Sequence, residues 1–180
     1  MKSFREYLRE EVSEQNKDRS VDFHLAGHFG SGKSTAIEKA KLGNHAHLID
    51  LDDIFFKMVK KNGEKPTSKE GIQDWDNKFK DNYFKMVDEG KQSKKPIVVV
   101  GHHWEGTNQI APVNAKRRVY IDIPKKTLFK QRKERDFEDK KLTDSYLENE
   151  YKLVQSDLDR EDYTKLPFTE VVDELKGLKK

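Results

Sequence analysis

The run LAGHFGSGKSTAIEKA, residues 25–40, constrains this chain more than any other stretch. From Gly27 it spells G-x-x-x-x-G-K-S, with the apolar segment VDFHLAG leading in and a helical pattern leading out. Glycines at these places let the backbone curl inward, so that successive N–H groups point at one centre. The helix that follows begins with its positive dipole end beside the same centre. A strand, an anion-cradling turn and a helix are therefore expected in that order. Lys33 is placed to reach the β- and γ-phosphates of a nucleoside triphosphate. The Ser34 hydroxyl is placed to ligate Mg²⁺, with Thr35 assisting by hydrogen bonding. The expected nucleotide-binding residues are Gly27, His28, Phe29, Gly30, Ser31, Gly32, Lys33, Ser34 and Thr35.

The rest of the chain repeats the same alternation. Strands are expected at 21–27, 46–52, 95–101 and 117–124. Helices are expected at 34–41, closed by Gly43, and at 53–61, stopped near Gly63. Thr67 and Glu70 have capping-box spacing. They open a long helix with Ile72, Trp75, Phe79, Tyr83, Met86 and Val87 on one stripe, ending at Gly90. Further helices are expected at 125–141, at 144–159 with Leu147, Tyr151, Val154 and Leu158 aligned, and in FTEVVDELKG, capped by Thr169. The unbroken apolar run KPIVVVG fits a parallel sheet covered on both faces. Strands alternating with helices imply an α/β fold with right-handed crossovers. Four strands are legible and a fifth is not.

Composition narrows the class. The 180 residues suffice for one domain with a real core. Only 33% are hydrophobic and 38% are charged, so ten Phe, six Tyr and two Trp must supply much of the burial. The chain has no cysteine, which excludes disulfides and thiolate metal sites. No apolar run approaches the roughly 18 residues of a membrane span. Residues 1–20 lack the apolar stretch of a secretory signal, so an intracellular, cytoplasmic protein is expected. The net charge of +3 favours an anionic partner only weakly. The Lys-rich pieces KMVKKNGEK, KQSKKP and IPKKTLFKQRK read as solvated helix faces and turns.

A second chemical cluster lies in LIDLDDIF. Asp50, Asp52 and Asp53 stand at the C-terminal end of the second expected strand, the edge at which open α/β sheets bind ligands. If the strand continues, Asp50 and Asp52 share a face. One of the pair is expected to orient Mg²⁺ or its waters and the other to accept a proton from an attacking hydroxyl, with Asp50 placed nearer the metal and Asp52 ahead as the base, and the two roles exchange if the strand ends one residue earlier. A helix N-cap needs one such acid, not three.

GHFGSGKS, IDLDD and VYIDIPKKTLFKQRKER together resemble the P-loop kinases of the nucleoside, shikimate, gluconate and polynucleotide 5′-hydroxyl type, over about residues 20–140. The resemblance implies a three-layer P-loop NTPase fold with a central parallel sheet of four to five strands, using ATP and Mg²⁺. It implies a kinase domain at 20–180, with an acceptor-binding helical region at about 53–93 and a lid at about 125–145. It implies that Asp52 activates the acceptor hydroxyl. It also implies lid arginines after the fourth strand, here Arg132 and Arg135, three apart on one helix. Two departures matter. The third strand ends in Gly101, His102 and His103 rather than an acid, which disfavours a motor or switch ATPase. DLDDIFFKMV lacks the arginine with which nucleoside-monophosphate kinases take an acceptor phosphate, so a hydroxyl acceptor fits better. Asp52, Asp53, His102, His103 and Trp104 are the expected acceptor contacts, and Trp75 reads as core.

The expected activity is therefore transfer of the γ-phosphoryl group of ATP onto a hydroxyl. A nucleoside or a polynucleotide end is the favoured acceptor, so nucleic acid is among the expected partners. The alternatives are a nucleoside-monophosphate kinase and a non-catalytic nucleotide-binding protein of a phage. The phage reading comes from MKSFREYLREE, which resembles the leader of internal proteins of large tailed phages and implies a host-cytoplasm location. That leader, residues 1–19, is otherwise expected to form an amphipathic helix.

Overall fold

A computed structural model describes residues 18–63, 66–101, 113–136, 142–160 and 162–179. The elements run β1 (Val21–Ala26), α1 (Lys33–Ala40), β2 (His47–Asp50), α2 (Leu51–Asn62), α3 (Lys69–Gln92), β3 (Ile97–Val100), β4 (Ala115–Asp122), α4 (Lys125–Arg135), α5 (Asp144–Arg160), β5 (Thr164–Pro167) and α6 (Phe168–Gly177). The strands form one five-stranded sheet in the order β2-β3-β1-β4-β5. β2 pairs parallel with β3, His47 opposite Ile97, and β4 pairs parallel with β5, Asp122 opposite Pro167. This is the expected α/β fold with a parallel sheet. The expected amino-terminal helix lies outside the described residues. Among those described, no helix is long and apolar enough to cross a membrane.

The fifth strand, missed in the sequence, is TKLP. It has four residues, alternates between half-buried and exposed, and ends in proline. Nothing in that composition marks a strand. Pro167 is tolerated because β5 is an edge, where a missing ladder donor faces no partner.

The chain divides into two compact units. The first lies within Met1–His24 and Ala46–Arg117, the second within Leu25–His45 and Arg118–Lys180. The first unit is cored by aromatics of α3. Trp75, Phe79, Tyr83 and Val87 recur every four residues and are buried with Ile54 and Met58 of α2 and with Ile97 and Val99 of β3. Each such side chain contributes about 1.5–3 kcal/mol by leaving water, which is how a lean composition still holds a core. α3 begins one residue later than the capping box suggests. Ser68, not Thr67, accepts the Gly71 N–H at 3.2 Å. It also runs through Gly90 to Gln92. A Cβ at Gly90 would sit 2.8 Å from His47 Cδ2 and 3.0 Å from Ile97 Cδ1. Gly90 therefore admits α3 close to the sheet and does not end the helix.

In the second unit, Ala26, Tyr120, Val154 and Leu158 form a smaller core, and α1 packs on α6. α1 ends at Lys41, which takes the left-handed conformation (φ 55°) two residues before the expected stop at Gly43. The Leu42 N–H then reaches Ile37 O at 3.3 Å while the Leu42 side chain is buried. A hydrophobic residue after the turn and a 6→1 hydrogen bond define a Schellman end, which offsets the strain on Lys41. α6 starts at Phe168 after Pro167 and has no side-chain cap, so Thr169 lies inside the helix.

Candidate active site

The glycine-rich turn leaves the C-terminal end of β1, the middle strand of the sheet. Gly27, Gly30 and Gly32 have φ of 135°, 79° and 90°, values that an L side chain rarely adopts. Gly32 is the N-cap of α1. No side chain caps the helix and no acid stands in its first turn. Lys33, the first residue of α1, folds back over the turn. Its Nζ donates to Gly27 O and His28 O, both at 3.0 Å. Ser34 and Thr35 are exposed beside it. The Ser31 hydroxyl is buried with no hydrogen-bond partner among the described residues.

Two further side chains of the turn are anchored. His28 is buried and its ring stacks on Tyr151 at 4.4 Å, with 2° between the planes. Gln155 donates to Asp159 Oδ1 at 2.7 Å, which turns its carbonyl oxygen toward His28. His28 Nε2–H therefore donates to Gln155 Oε1, at 3.2 Å. Burial pushes the imidazole below its usual titration range, the Gln155 hydrogen bond opposes that, and the Lys33 charge reinforces it. Phe29 carries a cation on each of two contacts, Lys33 Nζ at 5.8 Å and Arg132 Cζ at 5.5 Å from the ring centroid.

The two arginines of α4 come to the same turn. A Cβ at Gly30 would lie 3.0 Å from Arg132 Cδ and 3.9 Å from Arg135 Nη1. Gly30 thus gives these side chains a close approach as well as an unusual φ. Arg132 is 9% exposed and paired on two sides, with Asp136 at 2.9 Å and Glu150 at 3.2 Å. Its Nε is buried with no hydrogen-bond partner among the described residues. Arg135 pairs with Asp136 at 2.7 Å. Burial raises the Glu150 carboxyl above its usual range, and the Arg132 charge opposes that rise. α5 therefore grips both parts of the site: Glu150 holds Arg132, and Tyr151 with Gln155 holds His28.

Sequence reasoning missed Glu150, Tyr151 and Gln155 as anchors. A signal existed, because Glu150 sits three after Leu147 and four before Val154, an acid on the buried stripe of α5. Arg132 likewise sits four after Leu128 on the buried side of α4. The basic helix is also less basic than it reads. Lys125 pairs with Glu148, Lys130 with Glu134 and Lys133 with Asp144.

The carboxylate cluster belongs to the first unit, and there the structure corrects the strand reading. β2 ends at Asp50 and α2 begins at Leu51. Asp50 is the N-cap, its Oδ1 accepting the Asp52 N–H at 2.9 Å. Asp50 and Asp52 do not share a strand face. Asp52 and Asp53 stand in the first turn of α2, half-buried and exposed respectively. The reason is local: a capping aspartate satisfies the opening N–H groups and stops the strand. The cap engages one oxygen of Asp50. Trp75 is core, as expected, and neighbouring Asp76 is buried as well. His102, His103 and Trp104 lie outside the described residues.

No protein-family model and no curated protein matches this chain. Among solved structures, the chain is similar to a shikimate kinase from Bacteroides thetaiotaomicron, at 18% identity and TM-score 0.49 over 88% of this chain and 97% of that one. It is similar also to a gluconokinase from Sinorhizobium meliloti 1021, at 15% identity and TM-score 0.48 over 87% of this chain and 90% of that one.

Proposed function

We infer that the protein is an ATP-dependent phosphotransferase that moves the γ-phosphoryl group onto a hydroxyl, with a nucleoside or a polynucleotide end as the favoured acceptor. The observation that carries this reading is the start of α1. It is free of acids and side-chain caps, is preceded by three left-handed glycines, and is overlaid by Lys33, Arg132 and Arg135. A triphosphate is the ligand that this set of donors fits. The buried Ser31 hydroxyl and Arg132 Nε, unpartnered among the described residues, support it, because a buried polar group without a partner costs about 1–3 kcal/mol.

In this reading Lys33 and the turn hold the β- and γ-phosphates. Arg132 and Arg135 face the charge on the transferring group, a task suited to planar guanidinium. Ser34 and Asp50 would hold Mg²⁺, which supplies neutralisation of the phosphate oxygens when bound. Asp52 accepts the proton of the acceptor hydroxyl, and Asp53 lies beside it on α2. Three carboxylates at the start of α2 oppose an acceptor phosphate there, which favours a hydroxyl acceptor over a nucleoside monophosphate.

The test is acceptor-dependent ATP consumption across nucleosides, nucleotides, oligonucleotides with free 5′-hydroxyls and small polyols. Turnover with a hydroxyl acceptor is expected. Tight nucleotide binding with no acceptor-dependent turnover across the panel would instead mark a binding protein.

A further inference from the structure

α2 has two faces. Leu51, Ile54 and Met58 are buried, and Phe55 at the margin meets the Trp75 ring edge-on at 6.1 Å. On the other side Asp52, Phe56 and Lys60 follow at intervals of four, so they form one stripe. Phe56 is 65% exposed and touches the 36% exposed Phe55 ring at 5.7 Å. Core packing does not account for an outward phenyl ring on so charged a surface. Lys57, Lys60 and Lys61 have no ion-pair partner among the described residues, whereas Lys125, Lys130 and Lys133 of α4 each have one. Along its axis α2 thus presents carboxylates, then aromatic rings, then unneutralised ammonium groups, each about 6 Å from the next.

We propose that this stripe is the acceptor platform and that its ligand is a nucleoside carrying a phosphodiester beyond its free hydroxyl, the end of a nucleic-acid strand. The proposal rests on the phosphotransferase reading and narrows its acceptor. Each part of the stripe selects one part of that molecule. The acids at the helix start repel phosphate and accept from a neutral hydroxyl. Phe56 offers a base one face for stacking, an interaction indifferent to base identity. Lys57 and Lys60 attract the phosphate that follows. A polyol acceptor would use neither the ring nor the lysines.

The probe is thymidylyl-thymidine with a free 5′-hydroxyl, compared with thymidine and gluconate. Phosphoryl transfer from ATP is measured. Binding without ATP is followed separately by titration calorimetry on the unaltered chain. The dinucleotide is expected to be the best of the three acceptors. Phe56→Ala should raise its KM about tenfold and leave the KM for ATP unchanged, and Phe56→Trp should restore it. Lys60→Gln should weaken the dinucleotide, spare thymidine and flatten the salt dependence. Gluconate as the best of the three acceptors, with dinucleotide transfer unaffected by Phe56→Ala, would overturn the platform while supporting phosphotransfer. Dinucleotide binding that depends on Phe56 but yields no transfer would uphold the platform and sink phosphotransfer. A dimer that Phe56→Ala dissociates would overturn the proposal, because a second copy would then be what covers the ring.

Discussion

Two helices of this protein follow strands of the same sheet and open in opposite ways. α1 starts at Gly32 with no capping side chain and no acid, and basic side chains reach over the turn before it. α2 starts at Asp50, whose carboxylate caps the helix, with Asp52 and Asp53 in the first turn. Every helix start carries about half a positive charge and unsatisfied N–H groups. At α2 the chain answers that charge with its own acids. At α1 no acid of the first turn answers it. The contrast teaches that two helices of one sheet can meet the same opening charge differently, through what the sequence withholds as much as through what it supplies.

The contrast is testable by removing one group at a time. The largest effect is expected at Asp52. Asp52→Asn keeps the shape and removes the basic oxygen, so kcat should fall roughly 10²–10⁴-fold with little change in the KM for ATP. Full turnover in that variant would show that the first turn of α2 has no part in proton transfer. Next is Lys33→Ala, which removes the ammonium above the turn. Triphosphate affinity or transfer should drop about 10²–10³-fold with the fold intact by circular dichroism. Wild-type affinity and turnover would mean that α1 receives no phosphate.

A smaller effect is expected at the support. Glu150→Ala leaves the buried Arg132 with Asp136 as its remaining acidic partner among the described residues. Removing one partner of such a pair costs about 3 kcal/mol, read as a lower midpoint in urea. Glu150→Gln should recover part of that, because the amide still accepts a hydrogen bond. An unchanged midpoint in Glu150→Ala would show that α5 does not hold Arg132. The smallest effect belongs to the cap itself. Asp50→Ala should cost about 1 kcal/mol of stability, and Asp50→Asn almost none, since asparagine caps as well as aspartate. Equal losses in the two would mean that Asp50 matters for charge and not for the cap. A raised Mg²⁺ requirement in Asp50→Asn would add the metal role to the structural one.

Much of this was legible in the linear chain because the signals were local. The glycine turn needs no distant partner to be recognised, since its conformation is written into Gly27, Gly30 and Gly32. The stripe of Trp75, Phe79, Tyr83 and Val87 follows from helical period alone. The second strand was read too far because an aspartate serves equally at a strand end, a metal and an N-cap, and only the hydrogen bond that Asp50 accepts from the Asp52 N–H shows that the helix starts there. β5 was invisible because an edge strand takes its identity from the neighbour it pairs with. TKLP becomes a strand by lying beside Val119–Asp122.

By itself, then, the sequence determined the alternation of the first four strands with helices, the glycine turn and the helical stripes. These depend on backbone freedom and on side-chain period, both properties of neighbouring residues. Tertiary structure alone decided that Glu150 pairs with Arg132 eighteen residues away and that Tyr151 stacks on His28. It also decided that Gly90 admits His47 and Ile97 instead of ending a helix. Such pairings are set by close packing, which brings together residues far apart in the chain and leaves room for only some of the partners that the linear sequence offers.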